Sequence, residues 1–196
     1  MIFIMKRNLL VLACLFLGAA SSTYAADNAV VYFTSIHNRL GVENPEQAVG
    51  NTQRVALEIA RQTNADVLEL KTVKKYPAFY DETLKVVQEE FANDAKVELE
   101  SISDVSSYND IYLGFPIWWA TYPKAVTSFL DAANLDNKNI YVFVTHGGSS
   151  FGHSIDDLKS SLPNSNIIPL VEVRGSDTED SSLPNVVKEA LEQVAQ

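Results

Sequence analysis

Three stretches of this 196-residue chain suit a ligand with an anionic tail, a flat body and a polar rim. The first joins Ser35 to Gly50-Asn51-Thr52. The second is Pro116-Ile117-Trp118-Trp119-Ala120-Thr121. The third is Thr145-His146-Gly147-Gly148-Ser149-Ser150-Phe151-Gly152.

Gly50-Asn51-Thr52 opens a predicted helix. Backbone N–H groups are unpaired at a helix start and the helix dipole is positive there, which favours a phosphate. Ser35 and Thr52 add hydroxyl donors. No lysine lies in the immediate loop and no GxxxxGK[ST] is present. That argues against a nucleoside triphosphate and for a monophosphate held by neutral donors. The other reading is that Asn51 or Thr52 only caps the helix.

In the second stretch, indole supplies the largest flat apolar wall available to a planar ligand. Trp118 and Trp119 cannot both face one way in an extended loop, so one walls a ligand while the other packs on the protein. The alternative is a pair of core or interface tryptophans. In the third stretch, Gly147-Gly148 lets backbone approach a ligand closely. His146 either hydrogen-bonds the ligand's rim or is a structural histidine. His37 and His153 lie in other loops without ligand spacing, and no metal site is expected. Gly148-Ser149-Ser150-Phe151-Gly152 also matches G-x-S-x-G, so a serine hydrolase using Ser150 is a competing reading. Against it, Thr145-His146-Gly147 intervenes after the strand, and His153 precedes the candidate acids Asp156 and Asp157.

The elements that must position these stretches follow from periodicity. Strands are predicted at Ala29–Thr34, Asp66–Leu70, Ile111–Gly114, Asn139–Val144 and Ile167–Val173, with Pro169 confining the last to an edge. Helices are predicted at Asn51–Thr63, Asp81–Asn93, after Pro123, at Ser154–Ser161 and at Leu183–Val194. Val55, Ala56, Ile59 and Ala60 face inward on the first helix, and Leu84, Val87 and Phe91 on the second. Val126, Phe129, Leu130 and Ala133 do so on the third. Ile155, Leu158 and Leu162 serve the fourth, and Val186, Val187, Ala190, Leu191 and Val194 the last. This alternation means βαβ units and an α/β parallel sheet covered on both faces. Strand order 2-1-3-4-5 would make the first and third strands neighbours at the switch point, where a ligand crevice opens.

Hydrophobic residues make up 46% and charged residues 20%, as in an ordinary globular domain. Lys6-Arg7, an apolar run over residues 9–20, and a small-residue exit with Thr23 and Ala25 at the −3 and −1 positions read as a secretory signal. The run is too short to span a bilayer. Residues 1–25 are therefore expected to be cleaved and 26–196 to form one domain, exported to a bacterial periplasm. Cys14 is the only cysteine, so a cleaved chain has no disulfide or thiol chemistry. Cleavage would take the net charge from −10 to −12. So acidic a surface repels nucleic acid.

At the three stretches the sequence resembles the flavodoxin family. The resemblance is to the bacterial branch with GNT at the first helix, a PIWWGT-type loop after the third strand and THGGSxFG after the fourth. Tyr76-Pro-Ala-Phe-Tyr80 also resembles a segment of that branch, and the likeness spans Val30 to about Gly175. It implies a flavodoxin-like three-layer sandwich with noncovalent FMN. It also implies electron transfer or flavin-dependent oxidoreductase activity, with a redox partner protein or small-molecule acceptor. By position, Ser35, Asn51 and Thr52 would hold the phosphate. Pro116, Ile117, Trp118, Trp119 and Ala120 would line the isoalloxazine. Thr145, His146, Gly147 and Gly148 would meet its pyrimidine edge, with Gly152 shaping the loop's exit. Two departures from the family pattern are the residues Ile36–Val49 between Ser35 and Gly50, and Ala120 where glycine is usual. Because general secretion passes unfolded chains, an exported, flavin-free binding module on the same fold stands as the alternative.

Overall fold

The structure, a computed structural model, describes residues 27–35, 49–77 and 79–195. The expected signal segment 1–25 with Cys14, His37, and the insertion up to Ala48 lie outside the described residues.

The elements run β1 (Asn28–Tyr32), α1 (Asn51–Thr63), β2 (Asp66–Glu69), α2 (Tyr80–Ala92), β3 (Asp110–Pro116), α3 (Lys124–Ala132), β4 (Asn139–His146), α4 (Ser154–Ser161) and β5 (Asn166–Arg174). A 3-10 turn at Gly175–Glu179 then leads to α5 (Leu183–Val194). The sheet is parallel throughout, in the order β2-β1-β3-β4-β5. The β1–β3 pairing carries Val31 opposite Leu113 and Tyr32 opposite Gly114. The expected switch point is therefore present.

Two apolar layers cover the sheet. Val55, Ile59 and Val187 of α1 and α5 pack on one face with Val30 and Phe143. Val87, Val126, Phe129 and Leu158 of α2, α3 and α4 pack on the other with Val31, Leu113 and Phe115. Each fully buried large side chain contributes roughly 1.5–3 kcal/mol of transfer free energy. Pro169 lies in β5, the edge strand, where the register with β4 shifts between Val142 and Phe143. A proline is tolerated at such a bulge because no ladder bond needs its missing N–H.

Three expectations are corrected. β3 continues through Gly114-Phe115 to Pro116, and β4 continues to His146, with Pro116 opposite Thr145. Two of the three stretches therefore begin on paired strand rather than in free loop. On α2 the buried residues are Thr83 and Val87, while Leu84 is exposed. The helix is turned so that Leu84 meets a cavity instead of the core. On α5, Val186 is likewise exposed, and Val187 and Ala190 make the buried stripe.

Candidate functional site at the carboxyl edge of the sheet

All strand C-termini of a parallel sheet point to one edge. The chain ends emerging from β1, β3 and β4 there enclose a cavity of about 600 Å³. Of the thirteen residues expected at a ligand, ten line it: Ser35, Asn51, Thr52, Pro116, Ile117, Trp118, Trp119, Thr145, His146 and Gly147. Ala120, Gly148 and Gly152 are not among its lining residues. Six more residues also line it: Thr34, which adjoins Ser35 at the edge, Tyr80 of the Tyr76–Tyr80 segment, and Gly175, Thr83, Leu84 and Val87, which the sequence reading missed. The apolar spacing of Leu84 and Val87 gave no hint, because a cavity wall and a core stripe look alike in one dimension.

One end of the cavity is built for an anion. Gly50 is the N-cap of α1; its N–H donates to Gln53 Oε1 at 3.3 Å, and among the described residues no side chain accepts from the N–H of Asn51 or Thr52. Asn51 and Thr52 are thus not caps, and their N–H groups belong to the unpaired first turn. The hydroxyls of Thr34 and Ser35 are shielded from water and have no hydrogen-bond partner among the described residues. An unpaired buried hydroxyl costs about 1–3 kcal/mol, so two side by side at a cavity point to a missing acceptor or donor. A Cβ on Gly50 would stand 2.1 Å from Thr34 Oγ1, so only glycine lets the helix start this close. The Thr52 hydroxyl pairs with that of Thr145 at 2.8 Å. The Asn51 side chain accepts from the Thr178 hydroxyl at 3.0 Å, and its Nδ2 packs over Gly175. Thr178 lies in the 3-10 turn, which carried no recognisable sequence signal.

The two indoles divide their work. Trp118 meets Phe33 and Tyr76 edge-to-face, with ring centroids 5.6 and 5.1 Å apart. It anchors the loop in the core while one surface lines the cavity. Trp119 is 52% exposed. Trp118 N and Thr121 O, and Thr121 N and Trp118 O, close a tight turn at 2.9 and 3.0 Å. Trp119 and Ala120 at its tip both have positive φ, +48° and +64°. Gly152, φ +54°, packs against this tip: a Cβ there would meet the Ala120 carbonyl oxygen at 2.0 Å. Ala120 and Gly152 thus join two loops and do not face the cavity. Behind Trp118, the Tyr76 hydroxyl donates to Glu90 at 2.9 Å. Burial first, then the Glu90 charge and this bond, push the Tyr76 phenol far up, so it stays a donor.

The His146 ring is held by the protein. Its Nδ1 accepts from the Gly148 N–H at 2.9 Å and its Nε2 contacts Glu172. Both ring nitrogens are engaged by the protein. Ser150 stands at φ +52° in the turn. His153 Nδ1 is held by Asp157 at 2.7 Å, and no histidine bonds to Ser150 among the described residues. That arrangement lacks the base a serine nucleophile needs. Among the described residues no three metal-ligating side chains converge. No helix there is long and apolar enough to cross a membrane.

A family model described as flavodoxin matches residues 46–190. A provisionally assigned flavoprotein from Bacteroides uniformis is 21% identical with a TM-score of 0.67, over 88% of this chain and all of that one. Another from Bacteroides eggerthii is also 21% identical with a TM-score of 0.67, over 86% of this chain and 98% of that one. A Lactobacillus acidophilus flavoprotein in complex with FMN is 18% identical with a TM-score of 0.56, over 83% of this chain and 99% of that one. At these identities the likeness concerns the fold. No curated protein matches significantly.

Proposed function

The chain belongs to the flavodoxin family, and on that premise we propose that its cavity holds FMN and that the protein transfers electrons through it. The single observation that carries this reading is the pair of buried hydroxyls on Thr34 and Ser35, without partners among the described residues, beside the first turn of α1. They fit a phosphate that brings acceptor oxygens to both. In the same cavity, Thr34, Ser35, Asn51 and Thr52 take the phosphate end. Pro116, Ile117, Trp118 and Trp119 face the ring, and backbone of Thr145–Gly147 meets its polar edge. FMN supplies one- and two-electron chemistry that no side chain here provides.

Exposed Phe79, Tyr80 and Trp119 stand at or beside this cavity and leave carbon-rich surface open to solvent. An open mouth suits an electron carrier that meets a redox partner protein. The wall added by Tyr80, Thr83, Leu84 and Val87 favours a second reading, an oxidoreductase admitting a small acceptor. Steady reduction of small acceptors by the FMN-loaded protein, against reduction of protein acceptors alone, separates the two. Export to the periplasm, after cleavage at Ala25, belongs to the same proposal, with FMN acquired after export.

The test is a titration of the chain from residue 26 with FMN and with riboflavin, followed by visible absorbance. FMN should bind and riboflavin, lacking the phosphate, should bind at least about tenfold more weakly, the worth of one or two charge-assisted hydrogen bonds. A colourless protein indifferent to FMN would leave the flavin-free binding module as the reading.

A further inference from the structure

In the Gly147–Gly148 turn, Gly147 lines the cavity with bare backbone and Gly148 follows it. A Cβ placed on either glycine would meet nothing within 4 Å, so both glycines border open space. The turn's support comes from behind. The Gly148 N–H is bound to His146 Nδ1 at 2.9 Å, and His146 Nε2 is bound to Glu172. Glu172 lies on β5 opposite Val144, outside the cavity lining.

We infer that Glu172 is a positioning residue for the cofactor's polar edge, acting through the tautomer of His146. An Nδ1 that accepts a hydrogen bond carries no proton, so the neutral ring must bear its proton on Nε2. A carboxylate beside Nε2 selects that tautomer, as outer carboxylates do for functional histidines generally. Without it the proton is free to sit on Nδ1. An Nδ1–H would face the Gly148 N–H donor to donor, and the turn would lose its tether. An imidazolium makes the same clash. The His146 side chain is buried, whereas that of Glu172 is 43% exposed, so replacing Glu172 leaves the core intact.

This inference rests on the FMN reading for its effect on binding, but the tautomer can be read without cofactor. The experiment uses nitrogen-15-labelled protein free of FMN, wild type, Glu172→Ala and Glu172→Gln, with histidine ring nitrogen spectra followed by FMN titration and potentiometry. Wild type should show His146 protonated on Nε2 alone. Glu172→Ala should show mixed tautomers, bind FMN about threefold to tenfold more weakly, as loss of one hydrogen bond predicts, and shift the FMN midpoint potential. Glu172→Gln keeps an acceptor oxygen and should restore both properties to within about twofold of wild type. A wild-type His146 protonated on Nδ1 would overturn the inference. So would a Glu172→Ala variant whose tautomer and FMN affinity are unchanged. Wild-type protein that ignores FMN yet shows the Glu172-dependent tautomer would overturn the cofactor reading and retain the brace.

Discussion

Thr52 and Thr145, 93 positions apart, share a hydrogen bond of 2.8 Å between buried side-chain hydroxyls. The contact fastens the first turn of α1 to the end of β4. It fixes the distance between the start of α1 and the turn that follows β4. Neither residue's neighbours in sequence reveal it.

Replacing Thr52 by Val should destabilise the FMN-free chain by about 1–3 kcal/mol, because Thr145 keeps a buried hydroxyl without a partner. Replacing both threonines by Val should cost less than the sum of the two single changes. Urea unfolding of the four proteins checks this, and strict additivity would mean the hydroxyls do not interact.

The tryptophans should separate stability from binding. Trp118→Ala removes a ring packed on Phe33 and Tyr76 and should cost about 3 kcal/mol of stability. Trp119→Ala removes a half-exposed ring and should change stability by less than about 0.5 kcal/mol. The second variant should nonetheless weaken FMN binding and alter the flavin's absorbance and potential. Unchanged affinity and spectrum in Trp119→Ala would remove Trp119 from the site.

Ala120 occupies a left-handed backbone position, φ +64°. Such a conformation costs a non-glycine residue on the order of 1 kcal/mol or more. Ala120→Gly should relieve most of it and raise stability by about 0.5 kcal/mol, after glycine's extra unfolded-state entropy is deducted. The thermal midpoint measures it, and a lower midpoint would show that the Ala120 methyl group is stabilising here.

Glu90 has a carboxyl held above the usual glutamate range, chiefly by burial. The Tyr76 hydrogen bond and the Lys74 and Lys124 cations oppose that rise. A raised folded value means the native state binds the proton more tightly than the unfolded chain. The associated stability is complete below the ordinary glutamate range and is lost as pH rises through the folded value. Glu90→Gln keeps an acceptor for Tyr76 and should abolish this part of the pH dependence. Chemical denaturation of both proteins from about pH 4 to about pH 7 checks it. Parallel curves would exclude Glu90 as the source.

Leu84 shows where one-dimensional reading stops. Its spacing with Val87 announced a helix correctly, yet could not say whether the space facing Leu84 is filled by protein or left for a ligand. His146 shows the same limit for chemistry. The residue was visible at the end of β4, but its partner Glu172 is on another strand, and only pairing with β5 brings the two together.

By itself the sequence determined the alternation of five strands and five helices, the edge place of Pro169 and the three stretches that meet at one end of the sheet. These depend on local periodicity, on backbone-restricted residues and on the rule that parallel strands end together. Tertiary structure alone decided which indole packs on the core and which stays half-exposed, that Thr34 and Ser35 lack partners among the described residues, and that α2 and Gly175 line the cavity with Thr178 bound to Asn51. Those facts depend on distances between segments far apart in the chain. Such distances are set by strand pairing and by how each helix rolls to fill the core.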